Sequence, residues 1–112
     1  MLEPKINNQL KVVVGGLIYQ DKKILICQRK EDGDHPLKWE FPGGKVKDFE
    51  NSNEAIKREL KEELSIEINE IFFFDEYVYE YKELSKKLKL VFFSIFQFKG
   101  EIQNKVHQQL KW

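Results

Sequence analysis

Residues 44–66 read GKVKDFENSNEAIKRELKEELSI, and the organisation of the whole chain turns on this stretch. Its second half is periodic. Ala55, Ile56, Leu60 and Leu64 recur at spacings of one and four, which draws an apolar stripe down one side of a helix. Asn51 and Ser52 are candidate N-caps, and Glu54, three residues after Asn51, completes a capping-box pattern. The polar side carries Arg58-Glu59-Leu60-Lys61-Glu62-Glu63, three carboxylates within five residues. Glu59 shares a helix side with Glu62 at i+3 and with Glu63 at i+4, so their charges repel. Two readings stand: a solvated acidic face, or a set of hard oxygen ligands whose charge Mg²⁺ or Mn²⁺ offsets.

Upstream, Val12 to Tyr19 is an apolar strand with Gly15 and Gly16 inside it, a bulge or a close backbone approach. Gln20 to Lys23 turns the chain into a second strand, Ile24 to Arg29, and Lys30 to Lys38 is a charged loop. A short strand, Trp39-Glu40-Phe41, stops at Pro42-Gly43-Gly44. Downstream of Ser65 the pattern becomes β. Ile66 and Ile68 alternate, Phe72 to Phe74 follow, and Tyr77, Tyr79 and Tyr81 share one face. Glu83 to Lys87 reads as a turn, Leu88 to Phe98 as a long strand, and His107 to Trp112 as a last strand after a polar loop opened by Gly100. One helix cannot cover both faces of such a sheet, so a second covering element is expected beyond what these residues supply.

With 112 residues and 41% hydrophobic content, the chain is expected to form one domain burying about two-thirds of its unfolded surface. The 19 basic residues balance 19 acidic ones, which argues against nucleic acid or an acidic membrane held by bulk charge. Cys27 is the single cysteine, so an intramolecular disulfide and a cysteine-built zinc cluster are excluded. Met1 to Asn8 lacks the apolar core of a signal peptide, and no apolar run reaches the roughly 18 residues of a membrane span. A cytoplasmic protein is expected. Of the basic residues 17 are Lys, leaving Arg29 and Arg58 as the positions where a planar, bidentate fork is available.

Reading back from Arg58, Glu50 lies eight residues earlier and Gly44 six before that. The pattern Gly44-x5-Glu50-x7-Arg58-Glu59-Leu60-x-Glu62-Glu63-x-Ser65-Ile66 resembles the Nudix box of the Nudix hydrolases, departing from it only where Ser65 replaces a glycine. The approach Trp39-Glu40-Phe41-Pro42-Gly43-Gly44-Lys45, the strand ending in Arg29, and the closing His107 to Trp112 resemble the MutT-type branch. The resemblance covers residues 10–112.

It implies an α/β (α+β) fold, the Nudix α/β/α sandwich around a mixed sheet. The expected unit is a single domain over residues 1–112, with the box at 44–66 and the C-terminal helix of such chains missing after Trp112. It implies Mg²⁺-dependent hydrolysis (Mn²⁺ as substitute) of a (deoxy)nucleoside triphosphate, with 8-oxo-dGTP a candidate, to the monophosphate and pyrophosphate. The alternatives are a nucleotide-binding module without turnover and an inactive fragment. A nucleotide is the expected partner, in a monomer or homodimer, with no stable nucleic-acid complex and no membrane. The Gly43 carbonyl, Glu59, Glu62 and Glu63 are the implied metal ligands. Glu59, Glu62 and Arg58 are the implied catalytic groups, Arg58 orienting a glutamate and pairing with Glu50. Arg29, Asp34, Glu40, Phe41, Pro42, Gly43 and Lys45 are implied to bind substrate, Arg29 and Lys45 at the phosphates and Phe41 near the base.

Other residues read as structure. The tyrosines are expected in cross-strand packing, Phe92, Phe96 and Phe98 in the core, and Cys27 as a buried small hydrophobe. His35 is a loop histidine open to either solvation or substrate, and His107 has no visible partner for acid–base work. Val106 stands where MutT-type chains often carry an acid, so either Glu101 substitutes, or the helix carboxylates work alone, or turnover is reduced. Ser65 is expected to end the helix as the missing glycine would, at a cost of up to about 1 kcal/mol.

Overall fold

The computed structural model describes residues 10–81 and 86–112. Strand β1 (Leu10–Gln20) turns through Asp21 and Lys22, both at positive φ (51° and 64°), into β2 (Lys23–Ile24). Positive φ at both central residues is the geometry of a two-residue hairpin matched to strand twist. The expected second strand is split. Leu25, fully buried, carries the chain out of the first sheet, and β3 (Ile26–Gln28) enters a second one. There β3 lies between β4 (Trp39–Glu40) and β8 (Gln109–Lys111), antiparallel to both. Cys27 faces Glu40 and Leu110 across these ladders and is fully buried, and burial first, then the charges of Glu63 and Glu40, pushes its thiol up to about 12.

Gly43-Gly44 does not simply stop a strand. It opens β5 (Gly43–Lys45), antiparallel to Val13–Gly15 of β1. Gly43 takes a φ of 153°, where a Cβ would overlap the Val14 carbonyl. The helix α1 (Ser52–Leu64) follows, capped as expected: the Glu54 amide donates to Asn51 Oδ1 at 2.8 Å and the Asn51 amide to Glu54 Oε1 at 2.9 Å. Ser52 is the first helical residue, not the cap. Ser65 ends the helix at φ 60°, ψ 34°, the left-handed conformation that glycine adopts freely. Then β6 (Phe72–Tyr81) and β7 (Lys86–Ile95) pair antiparallel, and β7 pairs parallel with β1 from Leu10↔Lys87 to Ile18↔Ile95. Part of the expected 83–87 turn and the Met1 to Asn8 segment lie outside the described residues, as does the Tyr81 side chain.

The first sheet therefore runs β2-β1-β7-β6, with β5 joined to β1. Its α1 face is the core. Ala55, Ile56, Leu60 and Leu64 meet Val14, Ile18, Val91, Phe93 and Ile95, with Ile66 and Ile68 closing the edge. The glycine pair in β1 is a close approach without a bulge: a Cβ at Gly16 would crowd Leu60 and Ile95, and one at Gly15 would crowd Phe92. The opposite face is open, and this overturns part of the expected core. Phe92 is half-buried there with Tyr77 edge-on to it at 6.2 Å, while Phe96 is exposed and stacks on Tyr19 at 4.9 Å. Phe98 does pack against the core. The architecture is a mixed α+β fold, and among the described residues no helix is long and apolar enough to cross a membrane.

Candidate active site

Burial of the α1 stripe turns Arg58, Glu59 and Glu63 towards β5 and its glycines. Arg58 grips Glu50 bidentately, Nη2 to Oε1 at 2.6 Å and Nε to Oε2 at 3.0 Å. Its Nη1 reaches Glu59 at 3.1 Å and Glu62 at 3.2 Å, and Nη2 also donates to the Lys45 carbonyl at 3.0 Å. Such reach needs the fixed fork of a guanidinium; an ammonium could not satisfy it. The Arg58 bonds, helped by the Lys47 amide, hold the Glu50 carboxyl down to about 2, and the bonds to Glu50 and then Glu59 raise Arg58 above its ordinary range.

Glu59 lies under Gly44, where a Cβ would overlap its carboxylate. Burial pushes Glu59 up to about 7, its hydrogen bond and charge interaction with Glu63 push the same way, and Arg58 opposes both. Glu63 is the more enclosed member. Its Oε1 accepts from the Gly43 amide at 3.4 Å and lies 3.1 Å from His107 Nε2. The sequence shows no partner for acid–base work at His107; the structure sets Glu63 beside it. Its partner is 44 residues away in sequence, and no local pattern announces the contact. Glu101 lines a separate groove with Phe98, Ile102 and Trp112, and Val106 is exposed.

Gly43 and Gly44 are the seam between this acidic cluster and a cavity of about 450 Å³ on the open face of the sheet. Val13, Gly15, Leu88, Leu90 and Phe92 floor the cavity, and Arg29, Trp39, Glu40 and Phe41 wall it. Phe41 stands edge-on to Phe92 at 6.0 Å. Arg29 is held there by Glu40 at 2.8 Å and by the Asp34 carbonyl at 3.1 Å. Asp34 thus reaches Arg29 through its backbone. Pro42 is fully buried, with its carbonyl on the Gly16 amide at 2.8 Å, so it shapes the turn and does not line the cavity. Lys45 and His35 are exposed and also stand outside the lining.

Among the described residues, no three His, Cys, Asp or Glu side chains converge ready to hold a cation. The pair Glu59 and Glu63 does converge, half or more buried, with Glu59 shifted towards its neutral form and cradled where only glycine leaves room. Two desolvated carboxylates that resist sharing a second negative charge suit a hard divalent cation. Glu62 is more than half exposed, and its Oε1 accepts from the same Arg58 at 3.2 Å. When bound, such an ion would supply positive charge at the seam and lower the pKa of coordinated water.

A family model described as the NUDIX domain matches residues 9–112. The chain belongs to the Nudix hydrolase family. It is 41% identical over 100 residues to the 8-oxo-dGTP diphosphatase of Buchnera aphidicola subsp. Schizaphis graminum, an alignment covering 89% of this chain and 74% of that protein. It is 39% identical over 102 residues to the CTP pyrophosphohydrolase of Escherichia coli K12, covering 89% of this chain and 73% of that one. The solution structure of the E. coli ORF135 protein superposes with a TM-score of 0.82 at 33% identity, covering 98% of this chain and 77% of the other. A MutT NUDIX hydrolase from Burkholderia pseudomallei gives 0.82 at 26% identity, covering 94% and 83%.

Proposed function

We propose that the protein is a divalent-metal-dependent nucleoside triphosphate pyrophosphohydrolase, cleaving a (deoxy)nucleoside triphosphate to its monophosphate and pyrophosphate. The observation that carries this reading is the buried Glu59–Glu63 pair meeting, through Gly43 and Gly44, a cavity with an apolar, aromatic lining. Such a lining suits the flat face of a base, and the acidic seam suits the ions that accompany its phosphates. In this reading Glu59, Glu62, Glu63 and the Gly43 carbonyl hold Mg²⁺ or Mn²⁺. Glu59 and Glu62 serve the hydrolytic step, and Arg58 keeps Glu59 in place. Arg29 and Lys45 meet phosphate oxygens, and Phe41 covers the base. Nucleotide-pool sanitation in the cytoplasm is the corresponding role, by a monomer or homodimer. The relatives' names point to two bases, so 8-oxo-dGTP and CTP head the list of substrates to try.

The test is release of pyrophosphate and phosphate from a panel of ordinary and oxidised nucleoside triphosphates, with Mg²⁺ and with EDTA. Pyrophosphate release abolished by EDTA is expected, with the fastest substrate identifying the base. Folded protein that binds nucleotide in Mg²⁺ yet yields no pyrophosphate across the panel would overturn the enzyme reading in favour of a binding module.

A further inference from the structure

Glu63 is held from outside its own helix. The loop between Gly100 and Gln108 lies across the C-terminal end of α1, where the last carbonyls have no partner within the helix. The Gln103 amide takes the Leu64 carbonyl at 2.9 Å and the Lys105 amide takes the Glu63 carbonyl at 3.0 Å. The loop is itself stiffened next to the histidine: the His107 amide donates to Asn104 Oδ1, and Asn104 Nδ2 to the His107 carbonyl, both at 2.8 Å. The Gln108 amide then fastens it to the Gln28 carbonyl at 2.9 Å. This anchorage delivers the imidazole to Glu63, where the two side chains are only 7% and 11% exposed.

We propose that His107 is a positioning residue for Glu63, holding its carboxylate against Gly43 and beside Glu59 by a bond from Nε2 to Oε1. With the ring hydrogen on Nε2, the bond runs from His107 to Glu63, whose oxygen accepts. His107 and the Gly43 amide both take Oε1, and Oε2 carries neither bond. Groups that orient a ligating carboxylate in this way are worth about 10–100-fold in metal affinity. The inference rests on the reading of Glu63 as an ion ligand, but its test does not depend on turnover.

The variants are His107→Phe, which keeps a ring in the pocket but has no hydrogen to donate, and His107→Gln, whose amide restores a donor. The first readout is the amide resonance of Gly43 in metal-free protein. The Val46 amide, bonded to the Val12 carbonyl at 2.9 Å, serves as an internal control. The second is Mn²⁺ affinity. His107→Phe is expected to move the Gly43 resonance, leave Val46 in place and weaken Mn²⁺ binding about tenfold, and His107→Gln to restore most of both. Should the phenylalanine variant not fold, His107→Ala carries the same expectations. A folded donor-less variant with the Gly43 resonance unmoved overturns the proposal, as does one that binds Mn²⁺ as the wild type does. If the wild type itself binds no Mn²⁺, the metal-dependent reading of the site fails, and the Gly43 resonance alone then decides for or against His107.

Discussion

Arg58 balances charge that the site could not otherwise keep together. It is expected to tolerate no replacement, lysine included: losing the bidentate grip on Glu50 should cost about 1–3 kcal/mol, read as a fall in thermal midpoint for Arg58→Lys. Glu50 and Glu59 then act on stability with opposite signs. Glu50, lowered from 4.5 to about 2, contributes stability that is present above 4.5 and lost as pH falls towards 2. Glu59, raised from 4.5 to about 7, binds its proton more tightly when folded, so its contribution is complete below 4.5 and lost as pH rises through 7. Metal-free protein should accordingly be most stable near pH 5. Its thermal midpoint should decline towards pH 8, and both Glu59→Gln and added Mg²⁺ should flatten that decline. In turnover, Glu59→Gln is expected to lower kcat, and a change confined to KM would remove it from the chemical step. Glu63→Gln is expected to weaken Mg²⁺ binding at least about tenfold with the fold intact.

Among the elements, α1 was the most legible, because its cap, its apolar stripe and its carboxylates are all written within one stretch of chain. The strands were legible as existing but not as partners. Nothing near Ile24 to Arg29 tells that Leu25 leaves one sheet for another, since that depends on β8, about eighty residues later. The His107–Glu63 contact was invisible for the same reason. Phe49, just before Glu50, is fully exposed at a φ of 68°. A bulky side chain in that left-handed conformation gains nothing from packing to offset its strain. Phe49→Gly is expected to stabilise the protein by about 1 kcal/mol, measured by denaturant unfolding, without touching the acidic cluster. Ser65→Gly, at φ 60°, should act in the same direction by a smaller amount.

For the molecule as a whole, the consequence is a division of labour between two faces of one sheet. The face under α1 is sealed by the core, and the opposite face, with Phe92 and the half-exposed Tyr77, is where the cavity lies. The sequence foretold a single helix on one face. It could not foretell that glycines 15, 16, 43 and 44 sit together at the crossing of β1 and β5, because that meeting is made by pairing and not by neighbourhood. Ligand occupying the seam should stabilise both faces together. A slowly hydrolysed nucleotide analogue with Mg²⁺, at a hundredfold excess over its Kd, is expected to add about 2.7 kcal/mol and raise the melting midpoint by roughly 10 °C, against little change with the analogue in EDTA. The sealed thiol of Cys27 extends this to motion. Held in the middle strand of the smaller sheet and nearly devoid of thiolate at neutral pH, it is closed to an alkylating reagent until the β4-β3-β8 ladder parts. Alkylation of that one sulfur is therefore a chemical clock for the opening of the strand that leads into Arg29, and under the proposed contact of Arg29 with phosphate, bound nucleotide should slow it.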